Sequence, residues 1–299
     1  MISRVGLAIC VIGSLCVWLC CVAPASCDVD PLPQIILAQQ SQYIQSIASL
    51  ELQQVVTVTV NEALRKLKKQ PSAEVKQEGC IVVDGARHFS EVKLESGDTI
   101  ASAFDGNNYE TRSGRTLAIS KTSPNNNPYL GWTVLTAPFA FAFADDDELS
   151  LEALRNPELW ARVLKEVVSA GKASMLGHEG TLLKFTSPDS PDKAVEAFFA
   201  EDLGQLPIYV KVTRKDTISE MTVLDTSTIS GNGTALVVAT RVSLKDCSLD
   251  KVYEQECVLE VDTETLKVNQ PMNQNRFTLP RTNVKVINYA DFDLLVPAS

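Results

Sequence analysis

The sequence predicts an α+β fold in which helices cover one side of a large antiparallel sheet. Three observations predict it. Apolar and polar residues alternate in short segments through most of the chain, as in half-buried strands. Asp-Gly, Ser-Gly and Gly-Asn-Gly turns separate these segments, which is typical of hairpins. Two other segments carry apolar residues at helical spacing.

The first helix is expected at 34–47, where Ile36, Tyr43 and Ile47 share one face. The segment 50–60 follows directly and alternates apolar with polar residues, with valine at 56, 58 and 60, so it predicts a half-buried strand. Further strands are expected up to residue 144 and again from 181 to 288.

The segment 145–171 separates the two runs of strands and is predicted to be a helical insertion. Asn156 and Pro157 are typical of a helix N-cap and first residue, and Gly171 of the residue after the last turn. Trp160 and Leu164 belong to one apolar stripe. The predicted helix must therefore lie on an apolar surface.

Residues 1–27 have the order of a secretory signal peptide: Arg4, an uncharged apolar run and small residues at the end. The remaining 28–299 are predicted to form a single domain. Cleavage before Ser26, lipidation of Cys27 as in bacterial lipoproteins, and an uncleaved apolar anchor are three alternatives. Each alternative predicts export from the cytoplasm, and we expect the protein in the periplasm or at the outer membrane of a bacterial envelope.

The cysteines of the body are few, because five of the eight lie in or beside the leader. Cys247 and Cys257 flank a predicted hairpin, and an oxidising compartment favours a disulfide between them. Cys80 is then either a buried thiol or a partner of Cys27.

Several function classes are disfavoured. A net charge of −10 is expected to repel nucleic acid and anionic membranes, so membrane association is expected only through the N-terminus. Two histidines are too few for a His-rich metal site, and no cofactor motif is present. The segments 190–193 and 248–251 match S-x-x-K, in which a lysine activates a serine nucleophile, but the SDN and KTG motifs that accompany it in such enzymes are missing. A secreted hydrolase would instead need a catalytic pair of carboxylates that folding brings together. We therefore expect no enzyme, no metal and no cofactor.

The segment 137–144 alternates phenylalanine with alanine, so a strand here would point three phenyl rings to one face. The rings are either core under the helix or the wall of an apolar cavity, which would suit acyl chains. In the second interpretation the helix is the lid. The predicted ligand-binding residues are Trp132, Phe139, Phe141, Phe143, Trp160 and Leu164.

Four segments together carry a family resemblance. The helix that runs straight into a long strand at 34–60 resembles the start of the LolA/LolB/RseB group of periplasmic proteins. The turn FDGNNY at 104–109, the strand LPIYVK at 206–211 and the closing FTLP…VKVI at 277–287 resemble later features of the group. Their order along the chain spans about residues 34–288.

The resemblance implies an unclosed half-barrel, apolar inside, with helices covering its concave side. Members of the group carry lipoproteins, receive them at the outer membrane or sense envelope stress. The acidic surface, the 145–171 insertion and the predicted disulfide depart from the carriers. We expect an exported, non-enzymatic protein that binds an acyl chain, lipid or lipoprotein. The alternative is an envelope sensor that binds a protein partner with the same fold.

Overall fold

The computed structural model describes residues 32–70, 72–94, 97–121, 134–139, 154–187, 190–231 and 234–289. From Pro33 onward these residues belong to one unit of the chain. Its helices are α1 (Leu32–Ser46), α2 (Glu62–Lys68) and α3 (Pro157–Glu166), with a short 3-10 helix at Gln274–Phe277. No helix among the described residues is both long enough and apolar enough to cross a membrane.

The strands of the described residues number fifteen. They are β1 (Ser49–Val60), β2 (Glu74–Asp84), β3 (Arg87–Lys93), β4 (Thr99–Phe104), β5 (Tyr109–Ser113), β6 (Thr116–Ser120), β7 (Val167–Met175), β8 (His178–Ser187), β9 (Ser190–Ala200), β10 (Leu206–Thr213), β11 (Thr217–Gly231), β12 (Thr234–Ser248), β13 (Glu254–Val261), β14 (Lys267–Val268) and β15 (Lys285–Asn288).

The strands form one sheet in the order β15-β6-β5-β4-β3-β2-β1-β13-β12-β11-β10-β9-β8-β7, and β14 adds a second pairing to β1. Every pairing is antiparallel except that of β15 with β6. Because β1 pairs with both β2 and β13, it joins the two runs of hairpins. The two ends of the order do not pair within the described residues. The predicted unclosed half-barrel of the α+β class is therefore confirmed.

The two faces of the sheet are distinct. The inner face is the side to which the even-numbered residues of β1 point, and the outer face is the opposite side. On the inner face Leu50 and Leu52 are buried, and across the sheet so are Val210 and Leu183. On the outer face of β1, Gln53 and Val55 are exposed. The main core therefore lies on the inner, concave side.

Helix α1 contributes to the core with Ile36, Leu37 and Ile44, which are buried on one stripe. The sequence placed this helix within two residues of its observed bounds. At its C-terminal end the Arg155 guanidinium donates hydrogen bonds to the carbonyl oxygens of Ile47, Ala48 (3.3 Å) and Gly85 (3.0 Å). This arginine fixes the residues before α3 to the junction of α1 and β1.

The predicted helix over 157–170 is shorter than expected. Asn156 caps it, and its side chain accepts a hydrogen bond from the Glu158 N–H as predicted, but the helix ends at Glu166. Gly171 is not a helix terminator, because it lies within β7 opposite Leu182 of β8. Residues 140–153, which comprise the end of the predicted aromatic strand and the first part of the predicted insertion at 145–171, lie outside the described residues.

A small separate core lies on the outer face of β3–β6. Ala101, Ala103, Leu117 and Leu279 are buried together there, with Phe89 and Val284 packed against them. The C-terminal segment supplies Leu279 and Val284, so this segment covers the outer face before β15 pairs with β6.

Candidate binding site

The inner face contains a cavity of about 230 Å³ lined by strands β3, β2, β1, β13 and β12. Ligand sites are concave, mostly apolar and provided with a few polar groups, and this cavity has that character at a size slightly below the usual ~300–1,000 Å³. Its apolar lining consists of Val56, Val58, Gly79, Ile81, Val92, Leu244, Cys257 and Leu259, and its polar lining of Gln54, Gln77, Glu78, Asp246 and Gln255.

The register of the strands explains why these residues meet. Val56 lies opposite Leu259 of β13 and opposite Gln77 of β2. Val58 lies opposite Cys257, which in turn lies opposite Leu244 of β12. Facing residues of a strand pair point to the same side of the sheet, so the residues form two rows that cross the inner face.

Exposure increases along the cavity. At one end Gln54, Ile81 and Leu259 are buried, whereas at the other Gln255 is half-buried and Asp246 is exposed. The cavity therefore runs from a buried end to a polar, solvent-exposed end.

Gln77 adds an unused polar group to the wall. Its Oε1 atom is buried and accepts no hydrogen bond from the described residues. A buried acceptor without a donor is costly, by about 1–3 kcal/mol. A hydroxyl or amide group of a ligand would satisfy it.

Cys257 is the nucleophilic side chain in the cavity wall. Burial raises the pKa of its thiol to about 11, and the negative charge of Asp246 acts in the same direction. The thiol is therefore protonated at neutral pH, and the protonated form is a poor nucleophile. This wall is suited to holding an apolar group rather than reacting with it.

The predicted disulfide between Cys247 and Cys257 is wrong, because both thiols are free. Cys257 lies opposite Leu244, whereas Cys247 lies opposite Glu254. The two cysteines therefore point to opposite faces of the sheet and are three residues out of register, too far apart for a disulfide. The hairpin was predicted correctly, and the register within it was not. Cys80 is also a free, half-buried thiol.

Three of the six predicted ligand-binding residues are described, and none of these three lines the cavity. Phe139 is fully buried, in a helical turn rather than a strand, and its ring stacks on Tyr43 with centroids 5.3 Å apart. The Trp160 indole N–H donates to the Leu154 carbonyl oxygen at 2.8 Å. Leu164 is half-buried on α3. These contacts give the three residues a packing role, and ligand contact remains a prediction.

The other three predicted residues, Trp132, Phe141 and Phe143, lie outside the described residues, as does Cys27. The described residues contain no group of three or more His, Cys, Asp or Glu side chains that could hold a metal ion.

The cavity residues lie in segments whose sequence pattern predicts strands but not a cavity. Val56 and Val58 alternate with polar residues in β1, and Cys257 and Leu259 do the same in β13. Alternation predicts which residues share a face, but not that the faces of β1 and β13 lie side by side. These strands are about 200 positions apart in sequence, so their pairing left no local signal.

No protein-family model matches the sequence, and no curated protein matches it. Among solved structures, the chain is similar to a DUF1329 family protein from Desulfovibrio piger, with 10% identity over 84% of this chain and 98% of that one and a TM-score of 0.48. It is similar to a LolA superfamily protein from Nitrosomonas europaea, with 11% identity over 83% and 97% of the two chains and a TM-score of 0.44.

A third similar structure is the lipoprotein LppX from Mycobacterium tuberculosis, with 11% identity over 82% of this chain and 99% of that one and a TM-score of 0.32. The neighbours thus include the superfamily that the sequence resembles. At these identities and TM-scores, the similarities identify neither a ligand nor a partner for this chain.

Proposed function

We propose that the chain is an exported, non-enzymatic protein of the bacterial envelope that binds an apolar ligand, the acyl chain of a lipid or lipoprotein, in the inner-face cavity. The observation that carries this proposal is the cavity itself, an apolar space on the inner face that is lined by five neighbouring strands, β3, β2, β1, β13 and β12. A domain that had no use for the space would be expected to fill it, because protein interiors are close-packed.

The chemistry of the lining suits an acyl chain. Branched aliphatic side chains from β1, β2, β12 and β13 surround the space, and each methylene moved from water into such surroundings contributes about 0.8 kcal/mol. A cavity of this size holds part of a long chain, so the rest of the ligand would extend toward the exposed end at Asp246 and Gln255. The protonated thiol of Cys257 supports reversible rather than covalent binding.

The test uses neighbouring residues of one strand. Val56 lines the cavity, whereas Val55 points to the outer face and is 38% exposed. The Val56→Glu variant places a carboxylate in the apolar space, where burial of a charge costs several kcal/mol, so we expect at least a ten-fold loss of bound lipid. The Val55→Glu variant adds the same charge outside the cavity and should keep its lipid.

The measurement is mass spectrometry of the protein recovered from an exporting host, intact and then after denaturation and extraction. Wild type and Val55→Glu should release the same fatty acid or phospholipid only on unfolding. Circular dichroism confirms that both variants are folded. Equal lipid in all three proteins would reject the cavity as the site. No lipid in any of them would favour the alternative, a regulatory protein that binds a protein partner.

A further inference from the structure

Three exposed turns lie together at one end of the sheet, and none of their residues lines the cavity. Helix α2 with Lys69 connects β1 to β2, residues 214–216 connect β10 to β11, and residues 249–253 connect β12 to β13. We call these three turns together the basic tip.

Hydrogen bonds join the three turns into one surface. The Asn61 side chain, which caps α2, donates from Nδ2 to the Val252 carbonyl oxygen at 2.9 Å. The Leu249 N–H donates to the Asp216 carbonyl oxygen at 3.0 Å. Within the last turn the Tyr253 N–H donates to the Ser248 hydroxyl at 3.0 Å. The surface is therefore held in a defined arrangement.

The charge of the basic tip is opposite to that of the whole protein. Between 61 and 70, 213 and 217, and 249 and 254, the sequence has seven basic residues and four acidic ones, although the chain carries a net charge of −10. Of the four acidic residues, Glu62 is paired with Arg65 and Lys66. Lys69 and Lys251 are exposed.

Large apolar side chains are exposed among these basic groups. Leu67 is 63% exposed, Leu249 51%, Val252 46% and Tyr253 41%. Single exposed apolar residues are ordinary, but four on adjoining turns form a patch, and such patches mark interaction sites. Lys and Arg beside exposed Leu and aromatic residues form the pattern of a surface that inserts into the headgroup layer of a membrane.

The basic tip adjoins the cavity. The Lys68 ammonium donates to Gln255 Oε1 at 2.9 Å, and Gln255 lines the exposed end of the cavity. A membrane that contacted the basic tip would therefore lie next to the end of the cavity through which a lipid would enter or leave.

We propose that the basic tip docks the protein on a lipid bilayer that contains anionic headgroups. The four apolar side chains insert into the headgroup layer and the basic side chains contact its phosphates. This attraction is local, because the acidic remainder of the protein is repelled by the same membrane. Each Lys or Arg near an anionic surface strengthens binding about five-fold, and salt screens the effect.

The experiment is sedimentation of the processed protein, recovered from an exporting host, with vesicles of phosphatidylcholine alone or mixed with phosphatidylglycerol. The charge variant combines Lys69→Asn with Lys251→Asn, because both lysines have positive φ, which asparagine tolerates. We expect about 25-fold weaker binding to anionic vesicles at low salt. The apolar variant combines Leu249→Ser with Val252→Ser and should weaken the binding that persists at high salt at least five-fold.

Matched controls remove the same groups elsewhere. Lys121→Gln with Lys165→Gln removes two exposed charges, and Leu176→Ser with Leu224→Ser removes two leucines that are 53% and 46% exposed. Both controls should bind within two-fold of wild type, and any contribution of the N-terminus is common to all proteins. Wild type that does not sediment with anionic vesicles, or tip variants that bind as tightly as wild type, would overturn the proposal. Lipid content after extraction tests the cavity separately and should be unchanged in the tip variants.

Discussion

Two apolar surfaces of the same sheet differ in how far the protein's own residues cover them. The outer face of β3–β6 is covered by the protein's own C-terminal segment, which buries Leu279 against Ala101, Ala103 and Leu117. The inner face between β1, β2, β12 and β13 keeps an open cavity among residues of similar apolar character.

The difference lies in how the covering is fastened. The Glu110 carboxylate is buried on the outer face, accepts a hydrogen bond from the Leu279 N–H at 2.6 Å and pairs with Arg281 at 2.9 Å. Arg276 of the same segment pairs with Glu51 of β1. The cavity, in contrast, is bordered by polar side chains such as Gln77, whose buried Oε1 lacks a donor among the described residues. The covered outer face contributes to the stability of the fold, whereas the cavity on the inner face leaves apolar and hydrogen-bonding groups that a ligand would contact.

The largest expected effect comes from truncating an apolar residue on each surface. Leu279→Ala should lower the free energy of unfolding by about 3 kcal/mol, because Leu279 is buried in a closed core and the lost volume becomes a cavity. Val56→Ala should lower it by less than about 1 kcal/mol, because Val56 is half-buried beside a space that already exists. Urea unfolding followed by tryptophan fluorescence measures both.

Lipid content should change in the reverse order. Val56→Ala should reduce the lipid that co-purifies, and Leu279→Ala should leave it unchanged in the folded fraction. If Val56→Ala is as destabilising as Leu279→Ala and the lipid is unaffected, the cavity wall belongs to the core and the comparison fails.

The second prediction concerns the fastening of the outer face. Glu110→Ala leaves the buried Leu279 N–H without its acceptor, so we expect a loss of about 2 kcal/mol in the free energy of unfolding. Arg281→Ala is the control, since Arg281 is 61% exposed and an exposed partner contributes at most about 1 kcal/mol. Equal losses in the two variants would show that the ion pair, rather than the backbone hydrogen bond, holds the segment.

The sequence predicted the parts of the fold that local patterns determine. The strand predicted at 50–60 is β1, and the hairpin predicted around Gly231 is the antiparallel pairing of β11 with β12, in which Gly231 lies opposite Thr234. The helix after Asn156 begins as predicted, but its end was missed. Val163 and Val167 fit a helical stripe equally well in the sequence. Val167 is a strand residue only because it pairs with Phe185 of β8, which is distant in sequence.

The candidate site was less predictable than the fold. The aromatic segment 137–144 is conspicuous in the sequence; Phe139 packs in the core, and ligand contact by the remaining rings stays a prediction because they lie outside the described residues. The cavity that the structure describes is built from aliphatic residues such as Val58 and Leu244, which meet only because β1 pairs with β13 and β13 with β12. The predicted disulfide failed for the same reason, since register decides which cysteines face each other.

The smallest expected effect is a change in pH dependence at the second fastening point of the outer face. Burial alone would raise the pKa of Glu51, but hydrogen bonds from Lys267 and Arg276 outweigh it and hold the pKa below its ordinary value of 4.5.

In acid the unfolded chain therefore binds a proton at Glu51 before the folded protein does. The stability that Glu51 contributes is fully present above pH 4.5 and is lost as the pH falls through the lower, folded-state pKa. Glu51→Gln removes the titrating group, so its free energy of unfolding should fall less steeply than that of wild type as the pH is lowered below 4.5. Arg276→Gln should give an intermediate slope, because Lys267 still binds Glu51 at 3.1 Å. Urea unfolding at several pH values measures these slopes, and parallel curves for wild type and Glu51→Gln would show that Glu51 does not help to fasten the C-terminal segment.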